Sequence, residues 1–458
     1  MWSSTRGIRS PGRCAVARRN AAVNAPVPSW NRLPSANPTR IIEIGDRFAA
    51  LPDVGSETRC IAYGSGRSYG DVCLNDGGAV LRTRRLDHFI AFDRTTGRLR
   101  CEAGVQLAAI LDLVVPLGWF LPVTPGTRFA TVGGAVANDV HGKNHHVLGS
   151  FGHHVMALEL VRSNGERIVC GPDREPEWFA ATVGGLGLTG LIAWVELALI
   201  PISNPFMIME ARRFRSLDEF WPINAEAERD WPYTVSWIDC TSKRGQGILF
   251  AGRHAPPQSG LPAWRERRKT MPIDPPISLI NGLSLRAFNL LYYHRALPRG
   301  PKLQHYVPYF YPLDAIQNWN RLYGARGFYQ YQCVLPRAAA AGGVGEMVAE
   351  IAKSGLGSFL AVLKTFGERP SLGMLSFPRA GATLALDFAN QGATTEKLFE
   401  RLDTIVREAG GALYPGKDAR MPAAMFRDGF PAYEAFATYV DPRFSSGFWR
   451  RVMEQGPT

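Results

Sequence analysis

Three glycine-dense stretches, a histidine cluster and one lysine in a turn hold the groups from which chemistry could be built. The first stretch is Gly64-Ser65-Gly66-Arg67-Ser68-Tyr69-Gly70-Asp71. Three glycines within seven residues let backbone N–H groups converge on an anion, because a chain without Cβ can approach a phosphate closely. The spacing is not G-x-G-x-x-G, since the third glycine falls one position late, so a Rossmann dinucleotide site is disfavoured. Taken alone, the pattern fits a plain loop as well as a pyrophosphate cradle. The second stretch runs through Gly126, Thr127, Thr131, Gly133, Gly134, Asn138, His141 and Gly142. Small residues and hydroxyls at that density could line a flat ring system and its pyrophosphate. The third, Gly184–Gly190 with Gly187 inside it, reads by itself as a tight turn between strands.

Five of the nine histidines, at 141, 145, 146, 153 and 154, fall within 14 residues. Only Asp139 accompanies them, and interspersed glycines work against a rigid ligand pair, so no metal site is expected. His141 suits a hydrogen-bonding or proton-shuttling role beside a cofactor, and the others suit structural roles. Lys417 lies in Gly411-Ala-Leu-Tyr414-Pro-Gly416-Lys417-Asp418, a near miss to a Walker A loop. Asp418 stands where a magnesium-holding hydroxyl is needed, and Pro415 and Pro422 oppose the required helix, so an NTPase is excluded. A lysine in such a turn can still act as a base with a depressed pKa or as a donor, or be a solvated surface group. There is no helix-turn-helix, finger or RNA-recognition motif.

The elements that would position these groups follow from periodicity. Short β-like runs are expected at Arg59–Tyr63, Val80–Leu81, Phe89–Phe92, Leu99–Glu102, Val155–Val161, Arg167–Cys170 and Leu191–Leu199. Helical spacing runs from Val105 and is closed by Gly118. To about Pro201 this makes an α+β unit rich in glycine turns. Residues 255–312 are rich in Pro, Tyr and Arg with little periodicity and are expected as long loops. Strands are expected at Arg326–Leu335, Phe359–Thr365 and Thr383–Phe388, and a helix at Thr394–Ala409.

Composition sets the outer bounds. The chain has 458 residues, 46% hydrophobic and 20% charged, enough for packed cores in two or three units. Lysine plus arginine is 52 against 40 acids, a net charge of +12 that favours anionic partners without choosing among them. The seven cysteines are widely spread, with no C-x-x-C, and suit reduced thiols. The longest apolar stretches are interrupted and do not read as bilayer spans. Residues 1–40 hold no acid, and 1–27 are expected as a disordered basic leader.

Taken in order, Tyr63–Asp71, Ala103–Val105, Pro122–Gly134, His141–Lys143, Val155–Val161 and Gly184–Gly190 resemble the FAD-binding domain of the PCMH-type flavoproteins, the vanillyl-alcohol oxidase superfamily. Within it, Pro122–Arg128, His141–His146, Gly149–Gly152, Tyr329–Gln332, Phe359–Gly367 and Leu413–Arg420 resemble oxidases of polyprenyl-phosphoryl ribose. The resemblance implies an α+β fold: a PCMH-type FAD domain of two α+β subdomains over 28–201 and a substrate domain with an antiparallel sheet over 202–410. It also implies a segment, 411–458, that returns to the FAD domain. By the same resemblance Gly64, Ser65, Gly66, Arg67, Ser68 and Tyr69 wrap the pyrophosphate. Gly126, Thr127, Thr131, Gly133, Gly134, Asn138, His141 and Gly142 continue around the flavin, and Gly187 and Tyr414 complete the site. Many relatives attach FAD through a histidine in the first glycine loop. Arg67 stands at that position here, which implies noncovalent FAD.

The implied activity is oxidation of a sugar hydroxyl to a ketone, the first half of an epimerisation to arabinose for cell-wall arabinan. Lys417 is the candidate base, His141 positions substrate or flavin, Gln332 and Lys364 bond the sugar, Asp387 orients neighbours, and Arg321 receives a phosphoryl-lipid head. A short-chain reductase partner, peripheral membrane contact and a cytoplasmic or inner-membrane-face location are the further expectations. Quinone or O₂ would reoxidise the flavin. One departure is Ala385, where mycobacterial members have a cysteine; with Ala382 and Thr383 it is expected to alter the pocket floor. The alternatives are an aldonolactone or alditol oxidase of the same superfamily and, from another class, a basic nucleic-acid-binding protein without catalysis.

Overall fold

A computed structural model describes residues 26–55 and 57–453, so most of the expected basic leader lies outside the described residues. Val27 is already in a two-residue strand, Val27–Pro28, paired with Ser35–Ala36.

Two small sheets make up the first part of the chain. The strands β1 (Arg40–Glu43), β2 (Cys60–Tyr63) and β3 (Ala79–Arg82) form a parallel sheet with β3 in the middle. Its centre reads as a continuous apolar run, as expected of a strand covered on both faces. The strands β4 (Phe89–Asp93) and β5 (Arg98–Glu102) follow. Helix α1 (Leu107–Val114) buries Leu107, Ile110, Leu111 and Val114 at helical spacing. Pro116 then tightens the chain into a short 3₁₀ turn that Gly118 ends at φ 83°. Helix α2 (Val132–Ala137) is capped by Thr131, whose Oγ1 accepts from the Gly134 N–H at 3.2 Å. The strands β6 (Val155–Val161), β7 (Arg167–Cys170) and β8 (Leu191–Ala198) complete a five-stranded antiparallel sheet in the order β7-β6-β8-β5-β4.

The second part is built on β9 (Phe206–Phe214), β10 (Tyr233–Ile238) and β11 (Gly247–His254), with helix α3 (Leu217–Asp230) between the first two. After these come helix α4 (Gly282–His294) and β12 (Lys302–His305). The strand β13 (Phe328–Pro336), helix α5 (Arg337–Ser354), β14 (Val362–Phe366), β15 (Gly381–Ala389), helix α6 (Ala393–Glu408) and β16 (Ala412–Leu413) finish it. Eight of these strands form one antiparallel sheet, β12-β9-β11-β10-β14-β15-β13-β16. The mixed α+β architecture with antiparallel sheets agrees with the fold expected from the sequence.

Residues 255–312 differ from the loops expected there. They contain α4, β12 and a short helix at Tyr306–Phe310. The periodicity was hidden because α4 carries leucines on its outer as well as its inner side. The stretches holding α3 and α5 also drew no expectation. Pro222 interrupts the helical pattern of α3, and α5 is rich in alanine and glycine.

Among the described residues two large hydrophobic cores and three smaller clusters hold the molecule. One joins the parallel sheet, the eight-stranded sheet and the C-terminal helices. The other fills the space around the five-stranded sheet, α1 and α2, and reaches Tyr306–Tyr311. The C-terminal stretch lies along β2: Cys60 N–H donates to the Arg443 carbonyl at 2.6 Å, and Ser445 N–H to the Cys60 carbonyl at 2.9 Å. The buried carboxylate of Asp441 accepts from Ser163 N–H at 2.8 Å and Ser163 Oγ at 2.6 Å.

Candidate functional site

The three glycine stretches meet at a single cavity of about 600 Å³ between the small sheets and the eight-stranded sheet. From the first turn, Gly64, Ser65, Gly66, Arg67, Ser68 and Tyr69 line it. From the second stretch come Gly126, Thr127, Thr131, Gly133, Gly134, Asn138 and His141, and from the third Gly187. The opposite wall holds Gln330, Gln332, Lys364, Ala385, Asp387, Tyr414 and Lys417.

Bare backbone is a steric requirement here. A Cβ on Gly64 would stand 2.4 Å from Thr131 Oγ1, so the turn can pack on the start of α2 only as glycine. Around it, Gln106 Nε2 donates to Ser65 Oγ at 3.0 Å, and the Arg67 guanidinium lies 4.1 Å over the Trp30 ring.

The opposite wall follows from strand alternation. Register pairs Gln330 with Asp387, Gln332 with Ala385 and Lys364 with Thr383, so these side chains share one face of three adjacent strands. Gln330 Nε2 donates to Asp387 Oδ1 at 2.6 Å, and the Ser358 hydroxyl accepts from Asp387 N–H at 2.9 Å. Gln332 Nε2 contacts His141 Nε2 at 3.0 Å and donates to Thr383 Oγ1 at 3.3 Å. With the amide in this orientation the ring Nε2 accepts, and Nδ1 carries the hydrogen. Tyr414 OH donates to the Asn138 carbonyl at 3.0 Å, and Tyr69 N–H to the Gly416 carbonyl at 3.1 Å. The latter bond brings Lys417 Nζ to 3.6 Å over the Tyr69 ring.

Electrostatics at this end are dominated by burial. His141 is pushed well below its ordinary value by burial and by Lys364, His145 and Lys417 nearby, so its ring is neutral. Lys364 is lowered to about 7 by burial and by the charges of Lys143 and Lys417. Burial likewise lowers Lys417, and the Asp387 carboxylate opposes that shift. Asp387 is raised by burial while the Gln330 bond and Lys417 pull it back. Lys364, Lys417 and Asp387 are therefore poised nearer neutrality than their free side chains, while His141 is moved away from it.

Two candidates are not on the cavity wall. Gly142 lies behind it, where its carbonyl accepts from Lys364 Nζ at 3.2 Å. Arg321 donates to the Met271 and Pro272 carbonyls at 3.0 and 2.8 Å and sits 3.6 Å from Asp274. Its guanidinium is engaged in holding a loop. Ala382 points to the opposite face of β15 from Ala385 and is buried in the core, so it is not part of the pocket floor. Thr383 touches the site only through Gln332.

Gln330 was absent from the expected site, although its place two residues from Gln332 in a strand put both on one face. Trp30 and Asp314 also line the cavity, far away in sequence and without a local signal. The other clustered histidines hold backbone groups: His145 Nδ1 accepts from Gly367 N–H at 3.2 Å, His146 Nε2 contacts the Trp231 carbonyl, His153 Nδ1 accepts from Ser150 N–H at 3.1 Å, and His154 Nε2 contacts the Leu148 carbonyl. Among the described residues no group of three metal-ligating side chains is assembled.

A flavin dinucleotide fits these residues. Nothing lies within 4 Å of a Cβ placed on Gly126, and one on Gly187 would meet only Ile61 at 3.8 Å, so the cavity is open at both. Buried polar atoms of the cavity lining, Asn138 Oδ1 and His141 Nδ1, have no protein partner.

Residues 55–171 match the family profile described as FAD binding domain. The chain is 36% identical over 413 residues to decaprenylphosphoryl-beta-D-ribose oxidase of Mycolicibacterium smegmatis, covering 86% of this chain and 88% of that protein. It is 25% identical over 190 residues to D-arabinono-1,4-lactone oxidase of Eremothecium gossypii, 38% of this chain and 34% of the other. It is 24% identical over 166 residues to L-gulonolactone oxidase of Mus musculus, 36% of each. With the cavity built as described, the chain belongs to the FAD-dependent oxidoreductase family that includes decaprenylphosphoryl-beta-D-ribose oxidase.

Proposed function

We propose that this oxidoreductase takes a ribose carried on a polyprenyl phosphate and oxidises its 2′-hydroxyl to a ketone, with FAD held noncovalently. The observation that carries the reading is the polar face made by Lys417, Asp387, Gln330, Gln332, Lys364 and His141 at one side of the cavity that the glycine turns line. Bound FAD supplies the acceptor for the hydride that leaves the carbinol carbon.

The chain's own residues handle the rest. Oxidation of a carbinol also releases the hydroxyl proton, and a base near neutrality takes it most readily. Lys417, lowered by burial and steadied by Asp387, has that property. His141, neutral and fixed by Gln332, offers Nδ1–H to orient a hydroxyl. Lys364 supplies positive charge for an anionic head group, anchored by the Gly142 carbonyl. Arg67 in the first turn, stacked on Trp30, cannot form a histidyl–flavin bond, which supports a noncovalent cofactor.

A soluble aldonolactone or alditol is the second reading, favoured by the partial matches to lactone oxidases. Anaerobic bleaching of the flavin against a panel of sugars, polyols and a short prenyl-phosphoryl ribose tests both. Bleaching by the prenyl-phosphoryl ribose alone supports the first reading, and bleaching by free alditols overturns it.

A further inference from the structure

Helix α4 is inverted for a helix at a protein surface. Leu285, Asn289 and Tyr293 face inward, and Phe288 packs edge-on to Phe359 at 5.6 Å. Its outer side carries Leu283, Leu290 and Leu291, exposed by 82%, 58% and 73%. A water-facing stripe of a solvated helix is ordinarily polar. The run leading into the helix continues the pattern, with Ile273 and Ile277 exposed by 66% and 73%. Exposed apolar groups gathered in this way mark a surface that meets something apolar.

Charge identifies what that is. Residues 255–305 hold eight basic residues against two acids, Glu266 and Asp274. Both acids are engaged, Glu266 by Arg128 and Arg268, and Asp274 by Arg32 at 2.7 Å. The basic groups therefore outnumber what the segment can neutralise, and Arg286, Arg295, Arg299 and Lys302 stand exposed on the helix or just after it. Outward leucines with flanking cations are the two components of binding to an anionic bilayer surface.

The segment also borders the cavity. Lys269–Thr270 pairs with Ile316–Gln317, and Ile316 and Gln317 line the cavity. Ile280, just before α4, packs in the hydrophobic cluster of Trp319, Tyr323 and Leu360, of which Trp319 and Leu360 line the cavity too.

We propose that α4 and the apolar run before it form a docking surface for an anionic lipid bilayer, beside the rim of the cavity. The proposal rests on the pattern of leucines and cations and not on the identity of the substrate. The test is sedimentation of the FAD-loaded enzyme with vesicles of phosphatidylglycerol mixed equally with phosphatidylcholine, and with vesicles of phosphatidylcholine alone. The enzyme is expected to sediment with the anionic vesicles and to be released by salt. The triple variant Leu283→Ser, Leu290→Ser, Leu291→Ser is expected to lose partitioning by on the order of tenfold or more while keeping its flavin. Arg286→Glu with Arg299→Glu is expected to weaken it as well, through charge alone. Enzyme that stays in the supernatant with both vesicle types, or a triple variant that sediments like the parent, overturns the proposal. So does a parent dimer that the triple variant turns into monomer, which would assign the stripe to a second copy. Flavin bleaching by a short prenyl-phosphoryl ribose, without vesicles, reads the site separately, so loss of vesicle binding and failure of the substrate reading are distinct results.

Discussion

Lys417 and Asp387 bias one another's protonation inside a wall that otherwise presents amides, a neutral imidazole and a second lysine. Removing the amine leaves the glycine turns untouched. Lys417→Ala is therefore expected to retain FAD, seen at its visible absorbance, and to lower kcat by about 10²–10⁴-fold, the span usual for a general base. Lys364 gives a pH signature. Its ammonium, lowered to about 7, is charged below that pH and neutral above it. An anionic substrate should therefore bind best at lower pH, with KM rising as pH passes through about 7. Lys364→Arg, whose guanidinium stays charged, should flatten that rise. The residues of this wall were only partly legible in the sequence. Gln332 and Asp387 could be expected only from the family resemblance. The contact between Gln330 and Asp387 depends on a cross-strand register that no local pattern reveals.

Turn chemistry governs at the level of elements. Gly64→Ala should push the first turn off α2, because its new methyl meets Thr131 Oγ1. A loss of about 1–3 kcal/mol in stability, read as a lower Tm, and a reduced flavin content in the purified protein are expected. Strands with clean alternation and the helix closed by Gly410-Gly411 were readable to within three residues, the largest offset being at the start of β14. Helix α4 was not, since its burial pattern departs from the rule that lets a helix be recognised. The missed element and the proposed bilayer-facing stripe thus have one physical origin.

For the whole molecule, attachment of the C-terminal stretch matters most. Asp441, almost fully buried, collects Ser163, the Arg443 N–H at 2.9 Å and the Arg162 guanidinium at 3.4 Å. Asp441→Ala strands these donors and should cost about 2–4 kcal/mol, measured by denaturant unfolding. Acid precipitation of the intact protein should release all its yellow colour into solution, as expected of a cofactor held by contacts alone. Colour remaining with the pellet would contradict the place given to Arg67. That a large flavoprotein was encoded here could be read from motif order. That residues 443–445 lie along β2 could be expected only from the resemblance, because pairing between residues near 60 and 444 has no local mark.

The Tyr69–Gly416 bond and the Cys60–Phe444 bridge join regions some of which are separated by nearly the whole length of the chain. A ribosome delivers those regions at opposite ends of synthesis, and contacts so distant in sequence form late. The flavin berth therefore stays half-made until the residues near 416 have joined those near 69. Loading with the dinucleotide is thereby tied to the closing of that long-range contact.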